Sequence, residues 1–429
     1  IKNSNVTADS FLSGANSSAH IVNVAGQTSL SNDLAAGLTF AYNAMNNTTG
    51  INIKNGTWNV KDFGLNSANN NYALAVGAGV GFSKEGSALN GAVGLNMGNN
   101  STKSIVDGST LRGVENVNVS ATDRTSKTTV AGGLTINKDG SVAAGGAIAY
   151  ANIGTADNKE IINAKITNAT VSAKTINVEA LDNALMTTVG AGAGASISDG
   201  KFTFQGAAAV SEVNKDNIAE ISNSTITDGA DVKVIATSGG NGSDGLTIGD
   251  NTVDVKNKIN TIAGVLEMNF SDEAWFDGAA AISVNKFNQS TEANFKNDSR
   301  PETVSNVGNV NIYSNSEDDI LGVAVGGSGG KSAIGAAGST SYNYINNSAK
   351  SLVENANVKA SKNFGVVAQS DDKVSNYAGA VNVNTDGYGA IGVSVADNEI
   401  KGDTDALIKN SKLEVGGSSA ENDLIAISN

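Results

Sequence analysis

Large and small residues alternate with a period of two along most of the chain. From Tyr72 the larger side chains Tyr72, Leu74, Val76, Ala78, Val80 and Phe82 fall on one face, and Ala73, Ala75, Gly77, Gly79 and Gly81 fall on the other. A helix of period 3.6 cannot sort residues in this way, so the segment predicts a β-strand. After the turn Lys84-Glu85-Gly86 the alternation resumes, with Leu89, Val93, Leu95 and Met97 opposite Ala92 and Gly94. Glycine inside a strand costs about 0.5–1 kcal/mol relative to alanine. A face built almost wholly of Gly and Ala therefore implies a packing reason, the close approach of a second sheet or of a neighbouring molecule.

The strand pattern belongs to a larger repeat. Seven times a Gly/Ala stretch ends on an asparagine, at Asn43, Asn99, Asn152, Asn214, Asn285, Asn343 and Asn398. Around each anchor the order recurs: an alternating strand (INVEALDN from Ile176), a Gly/Ala run (from Val189), a turn (Asp199-Gly200), the anchor segment, and a polar strand (from Ala219). A fixed period of about 55 to 60 residues over a whole chain marks a solenoid. The expected fold is all-β: an elongated parallel β-solenoid, right-handed β-helix-like, of about seven repeats with Gly/Ala-rich strands. The repeats fall approximately at 1–57, 58–116, 117–175, 176–231, 232–309, 310–363 and 364–429, with an insertion at 237–258 in the widest unit. The seven anchor asparagines are expected to stack as one ladder, each amide bonding the next, in register on one side of the molecule.

Composition narrows the class. The chain has no cysteine and one proline (Pro301), yet 50 glycines and 40% apolar residues. It is too apolar and too regularly patterned for a disordered chain, and it folds around small side chains without disulfides. A net charge of −14 with scattered arginines (Arg112, Arg124, Arg300) disfavours nucleic acid, which needs clustered basic residues. No apolar run approaches a membrane span, so no direct membrane insertion is expected. The opening at Ile1, without a signal-peptide pattern, suggests an internal fragment of something larger.

The units VKVIATS at Val232, GAAAISVN at Gly278 and IKNSKLEV at Ile408 resemble the passenger repeats of large filamentous-haemagglutinin-like adhesins of Gram-negative bacteria, with leukotoxin-like filamentous adhesins the nearest in kind. The resemblance spans almost the whole chain, through a motif of common small residues. It implies a right-handed parallel β-helix, secretion by a two-partner or autotransporter route, an extracellular, cell-surface location and a virulence-associated adhesive rod. The implied partner is a host or bacterial surface receptor, protein or glycan, with lateral self-association a further option. Two features depart from the family: the unit is about twice the length of a simple coil, so each repeat holds two or three coils or one very wide one, and neither a secretion domain nor an anchor is present.

Catalytic constellations are not apparent, and the chain reads as a non-enzyme. The single histidine, His20, reads as structural. The carboxylate pairs Asp318-Asp319 and Asp371-Asp372 would suit a polysaccharide-cleaving β-helix, although such pairs usually mark solvated turns. No cofactor is expected. Calcium is an option, because Asp-Gly turns recur and Gly239 to Asp244 matches a calcium-turn repeat once, but turn chemistry alone accounts for the Asp-Gly pairs. The candidate binding loop comprises Asp244, Asp250 and Asp254 of the insertion together with Trp275. An exposed Trp275 would stack on sugar or protein; burial in a widened coil is the expected placement. The two function classes are thus an adhesive rod and, alternatively, a carbohydrate-binding or polysaccharide-degrading β-helix module.

Overall fold

The computed structural model describes residues 1–239 and 257–416 and the backbone of 424–428. Its described residues form strands and turns only, without a helix. The first coil comprises β1 (Asn5–Ser31), β2 (Leu34–Met45) and β3 (Thr48–Lys54); the second β4 (Thr57–Ser83), β5 (Ser87–Gly98) and β6 (Ser101–Asp107); the third β7 (Thr110–Asn137), β8 (Val142–Ile153) and β9 (Glu160–Thr167). In the fourth coil the outgoing strand is β10 (Thr170–Ser196) and the return strand β11 (Phe202–Ser222). The fifth divides its outgoing path into β12 (Thr225–Thr227), β13 (Ala230–Ser238) and β14 (Asn257–Asn269) before returning through β15 (Phe276–Lys296). Next come β16 (Ser305–Gly330) and β17 (Ile334–Glu354), then β18 (Asn357–Ala360), β19 (Phe364–Asn384) and β20 (Gly389–Lys409), and finally β21 (Lys412–Val415) and β22 (Leu424–Ser428).

Every outgoing strand pairs in parallel with the outgoing strand of the next coil, and every return strand with the next return strand, giving two sheets of 12 and 10 strands. The outgoing strands form one layer of a parallel β-solenoid and the return strands the other. Each sequence repeat is one very wide coil. At about 3.3 Å per residue the longest strands span about 90 Å, and successive coils rise by about 4.8 Å.

The interior is banded across the width of the coil. At one edge lies a cluster of large apolar side chains, including Trp58, Phe63, Leu111, Ile166, Ile176, Val232 and Phe364. A second cluster, with Met186, Phe287, Ile320 and Ile345, lies further across. Beyond it mainly Ala, Gly and polar side chains such as Ser211, Thr261 and Ser283 separate the layers, with Ala207, Ala209, Ala263 and Ala281 at the centre. Here the small face of the alternating strands points inward and the larger face points out. A Cβ added to Gly190 would stand 2.6 Å from the Ala208 carbonyl oxygen, and one added to Gly326 would stand 2.5 Å from that of Gly338. Glycine is required because backbone meets backbone.

The turns also follow residue type. Asn55, Asn168, Asn223, Asn355 and Asn410 all adopt left-handed φ values between 48° and 54° at the apolar edge. Asparagine tolerates this region better than other non-glycine residues. The serine after it continues the motif: Ser224 Oγ accepts from Ala169 N (3.1 Å) and Ser411 Oγ from Ala356 N (3.0 Å). The Asn-x-Thr sequences at Asn55, Asn168 and Asn223 thus have a structural explanation in this turn.

Replacing Gly190 by Val is expected to destabilise the fold by about 1–3 kcal/mol through overpacking. The neighbouring Ala191→Val, on the outer face, should be neutral or stabilising because β-branched residues favour strands. Thermal melts of the two variants decide the matter: equal shifts would mean that the layers are not in close contact.

Candidate functional site

The expected asparagine ladder exists in part. Register places Asn43 beside Asn96, Asn285 beside Asn343 and Asn343 beside Asn398, with Ala151 and Ser211 as the middle rungs. Asn285 Nδ2 donates to Asn343 Oδ1 (2.7 Å) and Asn343 Nδ2 to Asn398 Oδ1 (2.8 Å). At the other end, Asn43 and Asn96 instead clamp the two layers, donating to Leu74 O and Ala73 O at 2.7 Å. Asn99, Asn152 and Asn214 are not rungs of this ladder. Asn152 lies one residue further along and pairs with Glu212, while Asn214 stacks with Asn288 and Asn346 in a second row. Asparagine is frequent in these segments, so the last Asn of a Gly/Ala run does not identify the inward position.

Trp275 is 66% exposed, not buried. It lies in the turn before β15 because its own carbonyl and N–H are committed to the coil-to-coil ladder, accepting from Ile334 N and donating to Lys201 O. Nearby, the rings of Phe204 and Phe276 lie over Gly278, where a Cβ would meet them at 2.8 and 2.7 Å. Asp244, Asp250 and Asp254 lie outside the described residues, as does most of the insertion and the Gly239-to-Asp244 match. His20 is exposed and stacks on Tyr72, with ring centroids 4.5 Å apart.

The carboxylate pairs adjacent in sequence are separated by the strand pleat. Asp318 points in and Asp319 out, so the two cannot act on one substrate. The buried partner of Asp318 is Asp372, its register neighbour in the next coil. Asn347 Nδ2 donates to both, at 2.6 and 2.8 Å. Burial, then the Asp372 charge, pushes the Asp318 carboxyl well above its ordinary range.

A denser ionic cluster, which the sequence reading missed, lies between the layers. Lys215 Nζ is 2.6 Å from Asp182 Oδ1 and 3.2 Å from Glu160 Oε1, and all three side chains are buried. Asp123 completes the group, its Oδ1 accepting from Thr125 Oγ1 (2.6 Å) and its Oδ2 from Asn69 Nδ2 (2.9 Å). Oxygens of Asp123, Glu160 and Asp182 lie within 4.8 Å of one another, which is the spacing of a cation site. The Lys215 ammonium already occupies the charge centre, and a metal ion would have to displace it. Burial alone would lower Lys215, but Asp182, Glu160 and Asp123 outweigh it and hold its pKa above the usual value. Burial, reinforced by Asp123, raises Glu160. Lys127 is pushed down by burial and donates to Asn152 O at 2.5 Å. The members come from different coils and both sheets, so no local motif announces them. The available signal is a charged residue in an inward register position, such as Asp182 between Ala180 and Ala184.

Compared with known proteins, the chain matches no family model, no curated protein and no solved structure. The site must therefore be judged on geometry. The ionizable groups with the strongest interactions are internal. The open depression at Ala36, Leu38, Leu89 and Ala144, about 630 Å³, is lined by apolar and small residues and an asparagine. The buried ion cluster links neighbouring coils and joins the two layers.

Glu267 makes a third buried acidic site beside Asp277 in the Gly/Ala half. Burial, then the Asp277 charge, pushes Glu267 up to about 9, against a smaller opposing pull from the Thr203 hydroxyl. Asp277 Oδ1 accepts from Thr203 Oγ1 at 2.7 Å.

Two measurements follow. Lys215→Met leaves the Asp123–Glu160–Asp182 group without its cation and is expected to cost about 3–5 kcal/mol in urea unfolding; a loss below about 1 kcal/mol would show that the carboxyls do not need it. Glu267 has a folded pKa above its unfolded value, so its contribution to stability is complete below the ordinary carboxylate pKa and declines as pH rises towards about 9. Melting temperature should fall between pH 5 and pH 8, and Glu267→Gln should flatten that fall, with its largest gain over the parent at pH 8. A variant curve parallel to the parent's would show that Glu267 ionises freely.

Proposed function

We propose that the chain is a structural and adhesive rod segment of a large secreted bacterial surface protein, attaching to a host or bacterial receptor. The observation that carries this reading is the continuous parallel pairing of coil on coil in both sheets, from β1 to β21 and from β2 to β20. A solenoid of this kind lengthens by adding coils, and its binding groups lie on turns and outer faces rather than in a cleft. The buried ladders and ion cluster fit a mechanical role, because they tie coil to coil and layer to layer. The resemblance to filamentous adhesin repeats points the same way.

A second reading, a carbohydrate-binding module, draws on one specific observation: Trp275, just before β15, exposes its indole at the rim of the return sheet, where Phe202 and Phe204 of the neighbouring strand are exposed too. Aromatic platforms of this type stack on sugar faces.

Beads coated with the protein are expected to attach to epithelial or bacterial cells, and soluble protein should compete for the attachment. Beads that bind no better than albumin-coated controls would overturn the adhesive reading. On a glycan array the parent is expected to show no signal that Trp275→Ala removes; a Trp275-dependent signal would favour the carbohydrate module.

A further inference from the structure

The outer face of the return sheet changes character halfway along its strands. On each of its seven long strands, the first five outward positions are almost free of polar groups. In β11 they are Phe202, Phe204, Gly206, Ala208 and Val210, followed by Glu212 and Asp216; in β15 they are Phe276, Gly278, Ala280, Ile282 and Val284, followed by Lys286. The same register rows contain Leu34, Leu38, Phe40 and Tyr42 in β2 and Ile334, Ala336, Gly338, Thr340 and Tyr342 in β17. Over all seven strands Asp397 is the one charged residue in these rows, and it lies at the end of the stack. Ile148 and Ile282 are 50% and 46% exposed although they lie in interior coils. The inward positions of the same strands are Ala, Gly and small polar residues, so the larger apolar side chains are on the surface and the smallest are inside.

We infer that this band is an interface at which a second copy of the chain packs face to face. Its dimensions fit. Eight residue steps along each strand give about 27 Å and six steps between strands about 29 Å, hence a footprint of about 800 Å², the area each partner of a stable complex contributes. Its relief also fits a copy of itself. The row Gly91, Gly146, Gly206, Ala280, Gly338 forms a shallow trough between Leu38 and Val393, beside a row in which Val93, Ile148 and Ile282 stand out as knobs. A twofold axis can place each copy's knobs against the other's trough. The return strands cross this region without interruption, whereas the insertion leaves from the opposite sheet, between β13 and β14.

A hydrocarbon occupant is disfavoured by the rim of the band, which ends at charged turns, including Lys84, Glu85, Lys138 and Asp139, that would have to enter the bilayer.

Sedimentation velocity and light scattering across a concentration series provide the test, with the double variant Ile148→Lys/Ile282→Lys as the comparison. The parent is expected to be a dimer and the variant a monomer, with the same circular dichroism and melting temperature. A monomeric parent at high micromolar concentration, or a variant that remains dimeric, overturns the proposal. If the variant does not fold, Ile282→Asn alone is used, and its expected effect is at least a tenfold weaker dimer; unchanged dimer affinity counts against the interface. Flotation with neutral phosphatidylcholine vesicles is the second arm. The parent should remain unbound, and flotation of the parent that the variant abolishes would assign the band to lipid instead.

Discussion

In a parallel stack each side chain lies about 4.8 Å above its register partner, so every interior position must be compatible with a copy of its own kind. That constraint organises the molecule. Alanine over alanine is undemanding, and it lets the layers close until only glycine fits between backbones. Asparagine over asparagine works because an amide both donates and accepts, as from Asn285 through Asn343 to Asn398. Like charge over like charge fails unless something intervenes. Asp318 beside Asp372 is bridged by the shared Asn347 amide, and burial raises the pKa of both carboxyls. Asp123 beside Asp182 is tolerated because Lys215, paired with Glu160 in the facing sheet, reaches in between the layers.

The same constraint explains why one edge is conventional and the other is not. Where Trp58, Phe63 and Leu111 fill the interior, the layers are held apart by bulky side chains and the outside is polar, with Asn66, Asn118 and Asn177 facing water. In the Gly/Ala half the interior has little apolar area to bury. Cohesion there depends on the backbone ladders and on amide clamps such as Asn96 to Ala73 O. The reversal of large and small residues between inside and outside gives each coil two halves with different solvent preferences.

Much of this was legible in the sequence. The period-two alternation from Tyr72 to Phe82 specified strands, the repeat specified a solenoid, and the Gly/Ala face pointed to a closely apposed layer. The details that failed are those that depend on register. Asn99, Asn152 and Asn214 end Gly/Ala runs just as Asn43 does, yet a shift of one to three residues takes each out of the row. Trp275 was expected in a core, but it lies in a turn whose backbone is already committed to neighbouring coils. The ion cluster joins residues from separate coils on two sheets, and only a correct alignment of inward positions would have revealed it.

The fifth coil shows how the architecture treats added sequence. β13 stops at Ser238, opposite Ser316, and β14 resumes at Asn257, opposite Asp318. Neighbouring strands on both sides continue past this point, and Asn257 joins the two sides of the break by donating to Ser238 Oγ and Asp318 Oδ1. The stack thus reads chain length only where strands lie side by side, and a coil can carry extra residues at mid-strand without passing any distortion to the next. Such an architecture accepts grafts: sequence can be added one coil at a time while the hydrogen-bonded lattice on either side stays the same.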